Sequence, residues 1–151
     1  MTRPSPSVLG DYARIDDLAL RWDDVDVYGH VNNAVHYRLM DTAVCGHLVA
    51  QGVLDPARSP GIFLVVASGC DYFSEVHFPG PVGVGLRVDH LGRSSVRSGI
   101  GIFAPDSAVA AAQGTFTHVL VSRAHRRPLQ ITGALRHCLA ALQAGQPSIG
   151  K

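Results

Sequence analysis

The feature that most restricts the fold of this chain is one long helix with a wide apolar face, predicted for residues 33–50. Two adjacent stripes of apolar side chains run along it: Val35, Leu39, Ala43, Met40, Val44 and Leu48. Apolar residues at spacings of three and four are typical of a helix face that is buried against other elements. So wide an arc predicts a core helix covered on most sides, with Gly46 allowing the close approach of a neighbour.

Five stretches around this helix have the patterns of strands. Apolar and other residues alternate in residues 15–22 and, most clearly, in residues 82–88. Residues 62–72 are almost continuously apolar, residues 96–102 follow a tight turn, and residues 108–121 form a long last stretch. Period-two alternation and β-branched content predict strands. Thr132 is placed to cap a final amphipathic helix with Leu135, Leu139 and Leu142 on its inner face.

The order of these elements predicts an α+β fold. Consecutive strands with short links are usually antiparallel neighbours. The expected architecture is one long central helix against a curved antiparallel sheet of five or six strands, followed by a short C-terminal helix. We expect residues 1–13 to be a flexible leader and residues 14–151 to be a single domain. Because such a sheet has free edges, pairing with a second copy is expected.

Composition excludes several classes of protein. A chain of 151 residues with 46% apolar and 17% charged residues fits one folded domain. A formal net charge of +1, without blocks of like charge, predicts no binding to nucleic acid. The N-terminal residues are polar and contain proline, and no stretch is long and apolar enough for a bilayer. We therefore expect no signal peptide, no membrane association and a cytoplasmic location.

The three cysteines are Cys45, Cys70 and Cys138, an odd number with wide spacing and no CxxC motif. This pattern fits neither a disulfide framework nor a zinc site, so small buried apolar side chains in a reducing compartment are expected. His30 and His36 also lack the spacing of a helical metal pair. No metal site is predicted.

The segment before the long helix has the clearest chemical content. Residues 21–33 place several acids and a glycine turn between the first strand and the helix start. A carboxylate held beside the free N–H groups of a helix start suits attack on an acyl carbonyl. The alternative is an Asp-rich turn that only caps the helix. For Asp24 in particular, an ion pair with Arg21 or a turn cap is favoured over catalysis.

Three motifs resemble a known family. The first motif is residues 24–33, DVDVYGHVNN, which is followed on the helix by Tyr37 and Asp41. The second is residues 91–96, LGRSSV. The third is residues 114–121 with 126–129, which resemble the family's last strand and the segment that follows it. Together they resemble the hotdog fold, and within it the 4-hydroxybenzoyl-CoA thioesterase-like group of acyl-CoA thioesterases, over residues 15–143. The link at residues 73–81, FSEVHFPGP, departs from the proline and Gly-Asp that the family often has there.

The resemblance implies roles for particular residues. The second acid of the Asp-x-Asp motif, Asp26, is the catalytic carboxylate, and the backbone N–H of Asn33 polarises the thioester carbonyl. Arg93, Ser94 and Ser95 contact the nucleotide or pantetheine part of CoA. The family shares its active site between two subunits, which implies a homodimer or a dimer of dimers.

Other residues of the motif have two candidate roles each. His30 either polarises the site, for instance through a hydrogen bond to Asp26, or is a structural histidine of the turn. Asn32 caps the helix or contacts the substrate, and Tyr28 lines the pocket or only packs. Glu75 is a possible second acid without local support.

Asp41 on the helix also has two candidate roles. It lies near the acyl end of the substrate or pairs with Arg38 or His47. Pairing with one of these two residues of the helix is favoured over a contact with the substrate.

The expected function is hydrolysis of an acyl-CoA thioester to a free acid and CoA, without a cofactor. The leaving thiol, with a pKa of about 8.5 if Cys is a guide, needs little acid assistance. The site then needs a nucleophile or a base for water, which is Asp26 in either case, and donors for the oxyanion. The alternatives are a hotdog hydratase or dehydratase that uses His30, and a module that binds acyl-CoA without reaction.

Overall fold

In the computed structural model, which describes residues 2–143, five strands and two α-helices follow one another along the chain. They are β1 (Arg14–Ala19), α1 (Asn33–Ala50), β2 (Gly61–Tyr72), β3 (Pro81–Leu91), β4 (Ser95–Phe103), β5 (Ala112–Ser122) and α2 (Gly133–Ala140), with short 3-10 helices at Leu9–Asp11 and Trp22–Asp24. The strands form one antiparallel sheet, so the predicted α+β architecture is confirmed.

The order of the strands in the sheet is β1-β3-β4-β5-β2. The expectation that consecutive strands are neighbours is correct for β3, β4 and β5 and wrong for β2, which pairs with β5 at the far edge. The physical reason lies in the link at residues 73–80. In this link the carbonyl of the buried Val76 accepts a hydrogen bond from Val31 N–H at 2.7 Å. The link therefore passes beside the start of α1 instead of forming a hairpin.

The core lies between α1 and one face of the sheet. The buried apolar residues of α1 and of the two central strands belong to one cluster: Leu39, Met40, Val44, Leu48, Val84, Leu86, Ile100 and Ile102. The close approach of α1 to the sheet occurs at Gly114, where an added Cβ would lie 2.6 Å from the sulfur of Met40. The predicted role of Gly46 is wrong, since no other element within residues 2–143 comes within 4 Å of a Cβ placed there.

The helix α1 is buried along one face only. Its opposite face, which includes Arg38, Asp41 and Thr42, is exposed in the single chain, in contrast to the expected covering on most sides. Within residues 2–143, neither helix combines the length and the apolar character that a membrane crossing requires.

The segment before β1 contacts the sheet from residue 3 onward: the Arg3 guanidinium donates to the carbonyl of Tyr72, and the Gln113 amide donates to the carbonyl of Ser5 at 3.2 Å. Val8 forms a bridge with Val109, and Ser7 N–H donates to the side chain of Gln113 at 2.8 Å. The ring of Tyr12 lies over Gly85 and Gly101, where an added Cβ would come within 2.6 and 2.5 Å of it. Residues 7–13 thus pack on the sheet, which differs from the expected loose leader.

The three cysteines are free and half-buried, where full burial was expected. They lie on three different elements, with Cys45 on α1, Cys70 on β2 and Cys138 on α2. The position of Thr132 before α2 is as predicted, although its side chain makes no capping hydrogen bond.

Candidate active site

The turn before α1 is held in place by Asp24. Its side chain is 1% exposed, accepts a 2.7 Å hydrogen bond from the Arg21 N–H, and is paired with the guanidinium of Arg38. Its backbone carbonyl accepts a 2.9 Å bond from Asn32 N–H. Burial alone would raise the pKa of Asp24, but the Arg21 N–H and the Arg38 guanidinium outweigh it and hold the pKa below its ordinary value. The structural role of Asp24 is confirmed, with Arg38 as an additional partner.

Asp26, two residues later, has a different environment. Its side chain is half-buried, and its Oδ1 accepts a 2.9 Å hydrogen bond from the Tyr28 N–H. The amide of Asn32 lies 3.5 Å from its other oxygen. The backbone of Asp26 closes the turn, since its N–H donates to His30 and its carbonyl accepts from Gly29, each at 3.1 Å. The carboxylate is therefore oriented by the turn while part of it stays accessible.

The start of α1 leaves a backbone donor beside this carboxylate. Asn32 is the N-cap, and its side-chain oxygen accepts a 2.9 Å bond from Ala34 N–H, so the predicted cap is confirmed. Asn33 is the first helical residue, and within residues 2–143 its N–H makes no hydrogen bond. Its carbonyl accepts a 2.9 Å bond from the hydroxyl of Tyr72 at the end of β2, which fixes this first turn.

Asp26 and Asn33 line the same cavity, which has a volume of about 430 Å³. Its walls come from the turn, the start of α1 and the link after β2, and the other lining residues are Tyr28, His30, Val31, His36, Tyr72, Phe73, Ser74, Glu75 and Val76. In one partly apolar cavity, a carboxylate can attack a carbonyl carbon or activate a water for that attack. A helix-start N–H can bind the carbonyl oxygen when it points toward the helix.

The side chain of His30 lies in the cavity wall and makes no hydrogen bond to the Asp26 carboxylate. Its Nδ1 is 3.2 Å from the carbonyl of Val31, and its Nε2 is 3.9 Å from a carboxylate oxygen of Glu75. The alternative in which His30 bonds to Asp26 is thus wrong for this structure. Glu75, which had no local support in the sequence, is brought to His30 by the link after β2. The exposed ring of Tyr28 stacks on His30 at 6.3 Å between centroids.

Sequence reasoning did not assign His36 or Tyr72 to the site. The buried His36 has its Nδ1 3.2 Å from the carbonyl of Asn32, and its ring meets Tyr72 edge-on at 5.1 Å. Because a carbonyl only accepts, Nδ1 carries the proton, and Nε2 has no partner among the described residues. Burial lowers the pKa of His36 and raises that of Tyr72, which favours the neutral form of both. The only sequence signal for His36 is its position four residues, or about one helical turn, after Asn32.

The remaining predicted residues lie outside this cavity. Asp41 lies further along α1, where its carboxylate is close to Cys45 and His118. Pairing of Asp41 with Arg38 is wrong, because Arg38 binds Asp24. Arg93 and Ser94 lie in the turn between β3 and β4, and Ser95 begins β4. None of the three lines the cavity of its own chain.

The chain is similar to known proteins over most of its length. The profile of the thioesterase-like superfamily matches residues 20–139, and no curated protein matches the sequence. A Pseudomonas aeruginosa protein of known structure is 43% identical, covers 93% of this chain and 98% of its own, and has a TM-score of 0.90. A Thermus thermophilus thioesterase, solved with coenzyme A and Zn, is 29% identical over 91% of this chain and 98% of its own (TM-score 0.73).

A more distant structure shares the fold alone. A 1,4-dihydroxy-2-naphthoyl-CoA thioesterase from Synechocystis is 15% identical over 83% of this chain and 94% of its own, with a TM-score of 0.75.

Proposed function

Since the chain belongs to the thioesterase-like superfamily, we propose that it hydrolyses an acyl-CoA thioester with Asp26 as its essential carboxylate. The resemblance to hotdog-fold thioesterases, the hotdog architecture and the assignment as a thioester hydrolase are all confirmed by this membership. The identity of the catalytic residues and the acyl-CoA substrate are our proposal.

One observation carries the proposal: Asp26 and Asn33, the residue whose helix-start N–H has no partner among the described residues, line the same cavity. The thioester carbonyl oxygen points at the Asn33 N–H, where the positive end of the α1 dipole favours developing negative charge. Asp26 then faces the carbonyl carbon. Tyr28 N–H holds one of its oxygens at 2.9 Å, which limits the rotation of the carboxylate.

Asp26 acts either as nucleophile or as general base. As nucleophile it forms a mixed anhydride while the carbon–sulfur bond breaks and CoA leaves as the thiolate, and water then hydrolyses the anhydride. As base it takes a proton from a water that attacks the same carbon. Both routes consume one water and give the acid and CoA thiol, and both need the same oxyanion donor.

The cavity walls favour an uncharged acyl group. Val31, Tyr72, Phe73 and Val76 supply apolar surface, which suits an aliphatic or aromatic chain. His30, held near Glu75, places a polar side chain at the rim of the cavity. Tyr28 and Asn32, which lie on either side of it in the same turn, contact the bound substrate.

We further propose that the working enzyme is a homodimer. Strand β2 is an edge strand with exposed apolar residues, of which Val66 is 61% exposed. Beside the cavity, Trp22, Val27 and Tyr28 are 83%, 94% and 82% exposed. An unpaired edge and a cluster of exposed large apolar residues are typical of surfaces that a partner covers. A second copy would bring its own Arg93, Ser94 and Ser95 toward CoA.

Free-thiol release from a panel of acyl-CoAs tests the proposed function. Wild-type protein should release thiol, whereas a hydratase would change the acyl chain without release and a binding module would do neither. Asp26→Asn should lose most of the activity, because it removes both nucleophile and base. Asp23→Asn, an exposed acid in the same turn, is the matched control and should remain active. Full thiol release by Asp26→Asn, with loss in His30→Ala, would overturn the assignment of Asp26.

A further inference from the structure

Three side chains with metal-binding atoms meet between α1 and β5, outside the cavity of Asp26. The sulfur of Cys45 is 3.6 Å from Oδ1 of Asp41, one helical turn earlier. The Nε2 of His118 on β5 is 3.9 Å from the same oxygen. Within residues 2–143, this is the one group of three such residues whose ligand atoms all lie within 4.8 Å of one another.

His118 is a buried polar side chain without a partner. It is 2% exposed, and neither of its ring nitrogens has a hydrogen-bond partner among the described residues. The rings of Phe63 and Phe116 lie beside it, with centroids 5.9 and 5.7 Å away. An orphaned polar group in apolar surroundings carries an uncompensated desolvation cost. A ligand on Nε2 would remove that cost.

We propose that Asp41, Cys45 and His118 bind a divalent transition-metal ion of the zinc class. A thiolate and an imidazole are ligands that select such ions over magnesium or calcium, and a carboxylate completes the set. A tetrahedral zinc ion with bonds of about 2.0–2.3 Å separates its ligand atoms by about 3.3–3.7 Å. The two measured separations, 3.6 and 3.9 Å, are already close to this range.

The charges and the exposure of the cluster agree with a bound divalent metal ion. A thiolate and a carboxylate neutralise a divalent ion, and the imidazole of His118 adds a neutral nitrogen ligand. The side chain of Asp41 is 54% exposed, so an ion from solvent can reach the cluster. The thiol of Cys45 gives up its proton to solvent when the metal–sulfur bond forms.

This site is independent of the proposed hydrolysis. None of its three residues lines the cavity of Asp26. It gives Asp41 a different role from the predicted acyl contact, and it replaces the expectation, drawn from cysteine spacing, that the chain binds no metal. The sequence could not reveal it, because His118 reaches Cys45 only through the packing of β5 against α1.

Cobalt titration of the reduced, chelator-treated full chain tests the site. Wild-type protein should bind one Co²⁺ per chain with a thiolate-to-cobalt charge-transfer band that added Zn²⁺ abolishes. Cys45→Ser should lose the band, and Asp41→Asn should bind Co²⁺ more weakly. The matched control is Cys138→Ser, because the sulfur of Cys138 lies 3.7 Å from His47 Nε2 and this pair has no third such ligand in the part of the chain that the structure describes. This variant should keep the band.

Thermal unfolding supplies a second measurement. An ion that binds only the folded chain raises the unfolding temperature, so Zn²⁺ should stabilise wild-type protein and the Cys138→Ser variant but leave Cys45→Ser unchanged. The proposal is overturned by a wild-type protein without the charge-transfer band. A band that survives in Cys45→Ser, or that disappears in Cys138→Ser, overturns it equally.

Discussion

At the scale of single residues, the two acids of the Asp-x-Asp motif have separate tasks. Asp24 is buried and holds the turn to α1 through Arg38, whereas Asp26 lies half-buried in the cavity wall. The sequence predicts the closeness of Asp26 to the helix start, because only a short turn separates them. It does not predict the Arg38 contact, since ion pairs over such a separation depend on how the turn folds back on the helix.

The pH dependence of stability follows from the pairing of Asp24. Its folded pKa lies below the ordinary value of 3.8, so the unfolded chain takes up the proton first as the pH falls. The stabilisation from this group is therefore complete well above pH 3.8 and is lost as the pH falls through the lower folded pKa. Asp24→Asn should lower the free energy of unfolding at neutral pH by about 1.5–3 kcal/mol.

Urea unfolding across the acid range measures this effect. The difference between wild type and Asp24→Asn should shrink as the pH falls below 3.8. Asp23→Asn, whose side chain is 75% exposed, should show little difference at any pH. A gap for Asp24→Asn that stays constant with pH would contradict the role of the ionised pair.

At the scale of elements, periodic patterns predicted most boundaries correctly. The helix predicted for residues 33–50 is α1, and the strand predicted for residues 62–72 lies within β2. The last strand begins at Ala112 and not at residue 108, and β2 pairs with β5. Alternation shows which side chains share a face but does not identify the neighbouring strand. The contribution of Tyr72 and Glu75 to the site depends on that pairing and on the link after β2, so it could not be predicted.

The packing of α1 on β5 gives a prediction at the same scale. An Ala at Gly114 would place its Cβ 2.6 Å from both the Met40 sulfur and the carbonyl oxygen of Gly69. Because the backbone oxygen cannot easily move, Gly114→Ala should destabilise the fold by about 1–3 kcal/mol. Gly46→Ala, at an exposed position of α1, should stabilise the fold by about 0.5–1 kcal/mol. Chemical denaturation measures both, and equal stability of the two variants would contradict this packing.

At the scale of the whole molecule, the turn that lines the cavity also carries exposed large apolar residues. Trp22, Val27 and Tyr28 lie around the turn that carries Asp26, and β2 ends the sheet with an unpaired edge. The free edge was expected from the sequence, because an antiparallel sheet of this size does not close on itself. The sequence does not predict that β2 forms this edge, because that depends on the order of the strands in the sheet.

Light scattering tests the proposed dimer. Wild-type protein should have at least twice the mass of one chain, and Val66→Lys should shift it toward the monomer with loss of thiol release, because lysine on an edge strand opposes pairing. Val49→Lys is the control, since Val49 is also exposed, at 44%, but lies on α1. A fully active wild-type monomer would contradict the dimer.

The central claim is that the N–H at the start of α1 stabilises the oxyanion beside Asp26, and Asn33→Pro tests it most directly. Proline is well tolerated at the first helical position, and the φ of −61° and ψ of 139° at Asn32 suit a residue before proline. The substitution therefore removes the donor while the helix is kept. Asn33→Ala, which shortens the side chain and keeps the N–H, is the matched control.

The measurement is kcat for free-thiol release from an acyl-CoA that the wild-type enzyme hydrolyses. Loss of one oxyanion donor should lower kcat of Asn33→Pro by about 100- to 1000-fold. Asn33→Ala should stay near wild type, and both variants should unfold at similar temperatures. Wild-type kcat in a folded Asn33→Pro variant, or an equal loss in Asn33→Ala, would contradict the claim.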